Sequence, residues 1–338
     1  MDRISRRQAM RVSVAVAASG AALLAGKADA VDLLDLKGSD HLPDVLTVDY
    51  TFRDYEVVDY GYYSLDSMPR IRLRGPRFDP RTANPGSFFT AFGSAHTMGV
   101  FSPVTYPELL AEQLHMPAWN VGVGGVSAHF YNSYPQFADY ANRGRFAIVQ
   151  LMSGRMDGND RIENIPAAQM VRDRKRGDFV IPEGVWGRIE KEEPDKLLTY
   201  IEQSRTAWAE QHAKLLDSLK VPVVMFWFSG RSLGDSGAAT RQVGSLEATS
   251  FPQFVNGSDV AKIRGKAEAF VECTSMRGSG YKLRSRFTGE PVKVNHKMLG
   301  DRGSPVDLFD DNNSYYPSPE MQADAAKSLY DTVKRFAG

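Results

Sequence analysis

Five short apolar runs punctuate the chain: Phe88 to Phe92, Ala118 to Val121, Phe146 to Met152, Val221 to Phe228 and Ala269 to Cys273. Continuous apolar runs of this length, closed by glycine or polar turns, read as strands buried on both faces, as in a parallel sheet. Helical patterns lie between them. Thr105 and Glu108 stand three apart with Pro107 in the first turn, and Leu109, Leu110 and Leu114 supply the apolar stripe. A second helix is predicted over 127–141, interrupted at Pro135. Leu197, Leu198, Ile201, Trp208, His212, Leu215 and Leu219 recur at helical spacing and predict a long helix over 195–219. Ser258 is expected to cap a short helix. Ser318 is expected to cap the last one, with Pro319 in its first turn and Glu320 near the positive end of its dipole.

Strands alternating with helices predict an α/β fold of three layers, with a five-stranded parallel, flavodoxin-like sheet. Such a sheet places its working loops at the carboxyl ends of the strands, beside the switch point in strand order. The remaining segments are rich in glycine, proline and charge. They read as an extension over 31–87 packed on a main domain over 88–338, with insertions near 160–194, 230–257 and 277–312.

The 338 residues include 42% hydrophobic and 24% charged, a globular balance that excludes disorder, collagen and coiled coil. Basic and acidic residues number 41 each, which argues against nucleic acid as a partner. The lone Cys273 excludes an intramolecular disulfide framework and a cysteine-built zinc site.

Residues 1–30 read as an export signal. Ser5-Arg6-Arg7-Gln8-Ala9-Met10-Arg11 resembles a twin-arginine translocation motif, and an apolar stretch from Val12 to Ala25 follows. Fourteen helical residues rise about 21 Å, too short for a bilayer core of roughly 30 Å. Ala28-Asp29-Ala30 supplies small residues for signal peptidase, so a mature chain is expected to begin at Val31, with no stable membrane span. The motif implies the twin-arginine translocase and signal peptidase as partners during export, and a periplasmic or extracellular location. Removing the segment takes five basic and two acidic residues and leaves a small acidic excess.

Four loops carry the candidate chemistry. They are Gly93-Ser94-Ala95-His96-Thr97-Met98-Gly99, the turn from Asn120 through Gly125 to Ser127, the loop Ser153-Gly154-Arg155-Met156-Asp157-Gly158-Asn159-Asp160, and Asn313-Ser314-Tyr315-Tyr316-Pro317 before the last helix. In this order, from about Phe88 onward, they resemble the blocks of the SGNH, or GDSL-like, hydrolase superfamily. More narrowly, the Tyr50–Tyr63 stretch, Leu73-Arg74-Gly75-Pro76-Arg77 and Trp227-Phe228-Ser229 resemble a bacterial domain family of unknown function related to those hydrolases.

The resemblance implies acyl transfer: a serine nucleophile after the first strand, glycine and asparagine donors to the oxyanion, and a histidine base oriented by an aspartate three residues earlier. Matching Thr97-Met98-Gly99 to the usual Thr-x-Gly puts Ala95 in the serine slot and Ser94 in the aspartate slot. A one-residue shift makes Ser94 the nucleophile. Gly125 fits the second donor, behind Asn120 and Gly122. Asn159 is a third donor, though Ser153 and Met156 lie nearer the expected slot. Tyr316 stands in the histidine position and Asn313 in the aspartate position. A tyrosine with an ordinary pKa of about 10 is a poor general base at neutral pH.

His96, beside Ser94, and His296 are candidate replacement bases, each also readable as an ordinary loop or structural histidine. His212 reads as packed in its helix. Asp157, Asn159 and Asp160 have oxygen ligands but read better as an Asx turn than as a metal site. Gly122, Gly124 and Gly125 give an incomplete phosphate loop. The cluster of Tyr62 and its neighbours with Arg74 and nearby arginines reads either as a packed sheet edge or as a rim for a glycan.

Two functions stay open. One is a diverged protein that binds or modifies acylated envelope or extracellular carbohydrate, with Tyr62, Arg74, Asn120, Ser153 and Arg155 as ligand contacts. The other is an active esterase, deacylase or O-acyltransferase using Ser94 with a non-standard base. Neither calls for a cofactor or a metal.

Overall fold

The computed structural model describes Thr47 and residues 50–235, 251–299 and 305–338, with the backbone alone at 52, 235, 295–299 and 305–310. The expected export signal, most of the segment 31–49 and the middle of the 230–257 insertion lie outside the described residues.

All five apolar runs are strands of one sheet: β1 (Phe89–Phe92), β2 (Ala118–Asn120), β3 (Ala147–Gln150), β4 (Val223–Ser229) and β5 (Ala269–Thr274). Every pairing is parallel and the order is β2-β1-β3-β4-β5. The chain runs outward from β1 to β2, then returns across β1 to β3. The order therefore reverses between β1 and β3, the switch point of a flavodoxin-like sheet.

The strand β4 shows why the runs look continuous. Val224, Phe226 and Phe228 join one core with Met321, Ala325 and Leu329, while Met225 and Trp227 join the other with Trp208, Leu215 and Val260. Alternate side chains serve opposite faces, and both faces are covered. Helices Ala128–Ser133, Gln136–Ala141, Leu197–Ser218 and Gly257–Ile263 cover one face, and Tyr106–Leu114 with Pro319–Ala337 covers the other. Among the described residues, no helix is long and apolar enough to cross a membrane.

Local chemistry sets the helix ends. The Thr105 N–H and hydroxyl both donate to Glu108 Oε2, at 2.6 and 2.8 Å. Ser318 Oγ accepts from the Met321 N–H at 3.1 Å. The break expected at Pro135 falls there, between Ser133 and Gln136. Ser258 is not a cap: Asn256 Oδ1 accepts from the Ser258 and Asp259 N–H groups at 3.0 and 3.1 Å, and Ser258 lies inside the first turn.

The segment 160–194 builds a small antiparallel sheet, Ile162–Asn164, Val171–Asp173 and Phe179–Val180, and the helix Pro182–Glu192. Its own apolar cluster, including Ile162, Val185 and Trp186, packs on Met156, Tyr200 and Phe254. The segment 277–312 pairs Tyr281–Lys282 with Asn312–Asn313 and forms the hairpin Val294–Leu299 with Pro305–Asp310. His296 sits in that hairpin opposite Leu308.

The N-terminal extension contributes the short helix Thr51–Asp54 and the hairpin Tyr63–Leu65 with Met68–Leu73. Arg74 fastens it to the loop after β1. Its Nη1 donates to the carbonyls of Met98 and Gly99 at 3.0 and 2.8 Å, and its Nη2 to that of Pro103 at 3.0 Å. Tyr60 adds a second tie, donating to Asp54 Oδ2 at 2.6 Å and accepting from the Phe101 N–H at 3.0 Å.

Candidate functional site

The loops after β1, β2 and β3 and the loop before the last helix open onto one cavity, beside the switch point. Its free space is about 560 Å³ with the open mouth counted in, of which only about 40 Å³ is wide enough to hold the centre of a water molecule. Ser94 and His96 come from the first loop, Gly125 from the second, Ser153 and Arg155 from the third, and Tyr315 and Tyr316 from the fourth. The extension adds Tyr50, the 160–194 insertion adds Gln169 and Glu183, and Phe251 closes a further side.

The first loop is held by Gln150, the last residue of β3. Its Oε1 accepts from the Ser94 N–H at 3.0 Å and from Thr97 Oγ1 at 2.8 Å. Gly93 is needed for this turn, because a Cβ there would collide with Thr97 Oγ1 and Gln150 Oε1. Asn120 ties the first loop to the second: its Nδ2 donates to the Thr97 carbonyl at 3.0 Å and its Oδ1 accepts from the Gly122 N–H at 2.9 Å. Gln322 of the last helix donates to the His96 carbonyl at 2.9 Å. Two side chains of this turn, Ser94 and His96, line the cavity. Ser94 Oγ and His96 Nδ1 are buried and have no hydrogen-bond partner among the described residues.

His96 lies flat against Phe251, ring centroids 3.9 Å apart, and edge-on to Phe228 at 5.6 Å. Burial in these apolar surroundings pushes its pKa down to about 3. It is a neutral imidazole at physiological pH and a weak base, since proton affinity falls with pKa. Tyr316 is no better placed. Asn313 grips its backbone, accepting from the Tyr316 N–H at 3.0 Å and donating to the Tyr316 carbonyl at 3.0 Å, so it orients the turn and not the phenol. Burial pushes the Tyr316 hydroxyl up to about 12. No hydrogen bond joins Ser94 Oγ to a base among the described residues.

The opposite wall comes from the third loop and the insertion. Ser153 Oγ accepts from the Arg155 N–H at 3.3 Å, starting a single turn of 3-10 helix. Arg155 Nη1 faces Glu183 Oε1 at 2.5 Å, as an ion pair and not an aligned hydrogen bond, and Arg155 Nε has no hydrogen-bond partner among the described residues. Burial opposes the charge on Arg155, but Glu183, Tyr315 and Tyr316 more than offset it, so the guanidinium stays protonated. Gln169 N–H donates to the Gly125 carbonyl at 2.6 Å and its side-chain Nε2 donates to the Tyr50 hydroxyl, leaving Gln169 Oε1 without a partner among the described residues.

Four expected site residues stand away from the cavity. Asn159 Oδ1 accepts from the Arg161 and Ile162 N–H groups, both at 2.7 Å, an Asx turn, and its Nδ2 donates to Ser204 Oγ at 3.0 Å. Asn120 and Arg74 hold loops together, as described above. Tyr62 packs on Tyr60, centroids 5.4 Å apart. The buried His212 accepts from the Met152 N–H at 3.4 Å and contacts the Trp208 carbonyl through Nδ1 at 2.9 Å. The side chain of His296 lies outside the described residues. Among the described residues, no three His, Cys, Asp or Glu side chains converge as metal ligands. Gln169, Glu183 and Phe251 belong to no local motif and reach the cavity only through long-range packing.

Residues 50–161 match the model of a family described as a domain of unknown function (DUF6473). The match runs from Tyr50 through the first three strands and ends just past the third loop. No curated protein matches the chain.

Proposed function

We propose that the strand-end cavity binds a small hydroxyl-rich ligand, an acylated carbohydrate of the envelope or extracellular space, in a diverged SGNH-hydrolase-like fold that no longer performs serine-histidine hydrolysis. The observation that carries this is the state of Ser94 and His96. Both line the cavity, both hold a buried polar atom with no partner among the described residues, and they do not serve each other. A buried polar group left unpaired costs about 1–3 kcal/mol, and a ligand hydroxyl or carbonyl in the cavity removes that penalty. Gln169 Oε1 and Arg155 Nε add an acceptor and a donor, and Tyr50, Tyr315, Tyr316 and Phe251 offer ring faces. Donors, acceptors and aromatic faces in one small cavity suit a sugar. The export motif at residues 5–11 supports a periplasmic or extracellular setting, with the twin-arginine translocase and signal peptidase as transient partners.

The alternative is a serine esterase, deacylase or O-acyltransferase using Ser94, favoured by its place in the lining of the cavity. Against it stand three groups. The Ser94 N–H is already bound to Gln150, His96 is held neutral near 3, and Tyr316 is held near 12.

The test is calorimetric titration of the purified protein with neutral and O-acetylated mono- and disaccharides. Saturable binding weakened about tenfold by Gln169→Ala or Tyr315→Ala, a change of about 1.4 kcal/mol, supports the proposal. Absence of any binding, or binding indifferent to both substitutions, contradicts it.

A further inference from the structure

Among the described residues lining the cavity, only Arg155 and Glu183 carry full charges, and they face each other at 2.5 Å with side chains 15% and 13% exposed. His96 is neutral. Arg53, a buried cation that also acts on Tyr316, is paired with Asp54 through two contacts, Nη2 to Oδ2 at 2.8 Å and Nε to Oδ1. The described lining is therefore polar but has no net charge to offer.

Glu183 owes its position to the insertion. Pro182 opens the helix Pro182–Glu192, which places Glu183 in the first turn, where a carboxylate is favoured by the helix dipole. Trp186, one turn on, donates its Nε1–H to the Arg155 carbonyl at 2.8 Å. The helix is thus keyed to Arg155 twice, once through the backbone and once through the guanidinium. An arginine at a strand-end cavity is otherwise a ready fork for a carboxylate, sulfate or phosphate.

We infer that Glu183 is the charge filter of this cavity: by occupying Arg155 it excludes anions and restricts the site to uncharged ligands. This rests on the cavity being a ligand site, and it narrows the ligand to neutral sugars, with uronates, sulfated sugars and phosphosugars rejected. An incoming anion meets the Glu183 carboxylate beside the described lining cation and must displace it, whereas a neutral hydroxyl or amide can use Arg155 Nε without breaking the pair.

The test uses acetate and sulfate as probes, read by thermal unfolding at constant ionic strength with chloride as reference, since a ligand that binds only the native state raises its midpoint. Wild type is expected to show no shift with acetate or sulfate beyond chloride. Glu183→Gln, which keeps the shape and removes the charge, is expected to gain a saturable upward shift, and Arg155→Gln/Glu183→Gln to lose it. A wild-type shift equal to that of Glu183→Gln overturns the inference, as does a Glu183→Gln shift no larger than that of the double variant. Should Glu183→Gln fold poorly, the wild-type comparison of glucose with glucuronate by calorimetry decides: equal binding of both overturns the filter. Loss of all sugar binding with the Glu183→Gln acetate shift intact would count against the ligand proposed above and leave Glu183 as the group that masks Arg155.

Discussion

The His96 imidazole stacks on the Phe251 ring at 3.9 Å between centroids, 24° from parallel, and this contact seals it from water on one face. An imidazole so covered resists protonation. Opening the cover is expected to restore its basicity. In Phe251→Ala the His96 pKa should move up from about 3 toward the ordinary 6.5, measured by NMR titration of the ring protons. A His96 signal that already titrates near 6.5 in wild type would remove the main objection to a histidine base.

Asp157 sets a pH dependence of the opposite sign to the buried histidines. It is fully buried, its Oδ2 has no partner among the described residues, and burial pushes its pKa up to about 8. The unfolded chain releases this proton near 4 and the native state holds it to about 8, so the native state binds more protons between those values. Its contribution is complete below pH 4 and is lost as pH rises toward 8. His96 and His212, held low at about 3 and about 4, act the other way: their contribution is complete above 6.5 and is lost as pH falls. In Asp157→Asn the histidine part cancels. The stability of that variant relative to wild type is expected to grow by about 1.4 kcal/mol per pH unit across pH 5–7, read from urea unfolding. A difference that does not change with pH would show that Asp157 is ionised in the native state.

Arg74 is a fastener. Its three hydrogen bonds to the carbonyls of Met98, Gly99 and Pro103 join the extension to the loop that carries Ser94 and His96. Arg74→Ala is expected to lower unfolding stability by about 2–4 kcal/mol, since charge-assisted bonds are lost and buried carbonyls are left unpaired. Sugar affinity measured well below the melting temperature should change less than threefold. A variant of normal stability with abolished binding would return Arg74 to the ligand site.

Gly125 has φ +69°, and a Cβ on it would collide with Gln169 Cγ. Gly125→Ala combines backbone strain of roughly 1–2 kcal/mol with displacement of the loop that carries Gln169. Stability and sugar affinity should fall together. A variant with wild-type melting temperature and affinity would show that the Gln169 loop is not held against the glycine turn.

The strand pattern carried most of the fold because β4 needs apolar residues on both faces: Phe226 and Trp227 are neighbours in sequence and lie in opposite cores. Topology then sent the strand-end loops to one rim, and Ser94, His96, Gly125, Ser153, Arg155 and Tyr316 went with them. Asn159, though only four residues beyond Arg155, misses the cavity because its amide is consumed by its own turn, the Asx turn that the polar run Asp157 to Asp160 predicts. Arg74 has a side chain long enough to reach whichever surface lies beside it, and its partners are backbone carbonyls with no signature in sequence. Gln169 and Glu183 arrive from the 160–194 insertion and Phe251 from the 230–257 insertion.

The most direct measurement is the time course of p-nitrophenyl acetate hydrolysis by wild type and Ser94→Ala at pH 7.5. With the Ser94 N–H held by Gln150 and no base on its hydroxyl among the described residues, both proteins should match each other and show no burst above the uncatalysed rate. A burst or steady turnover in wild type that disappears in Ser94→Ala would contradict the account and establish Ser94 as a working nucleophile.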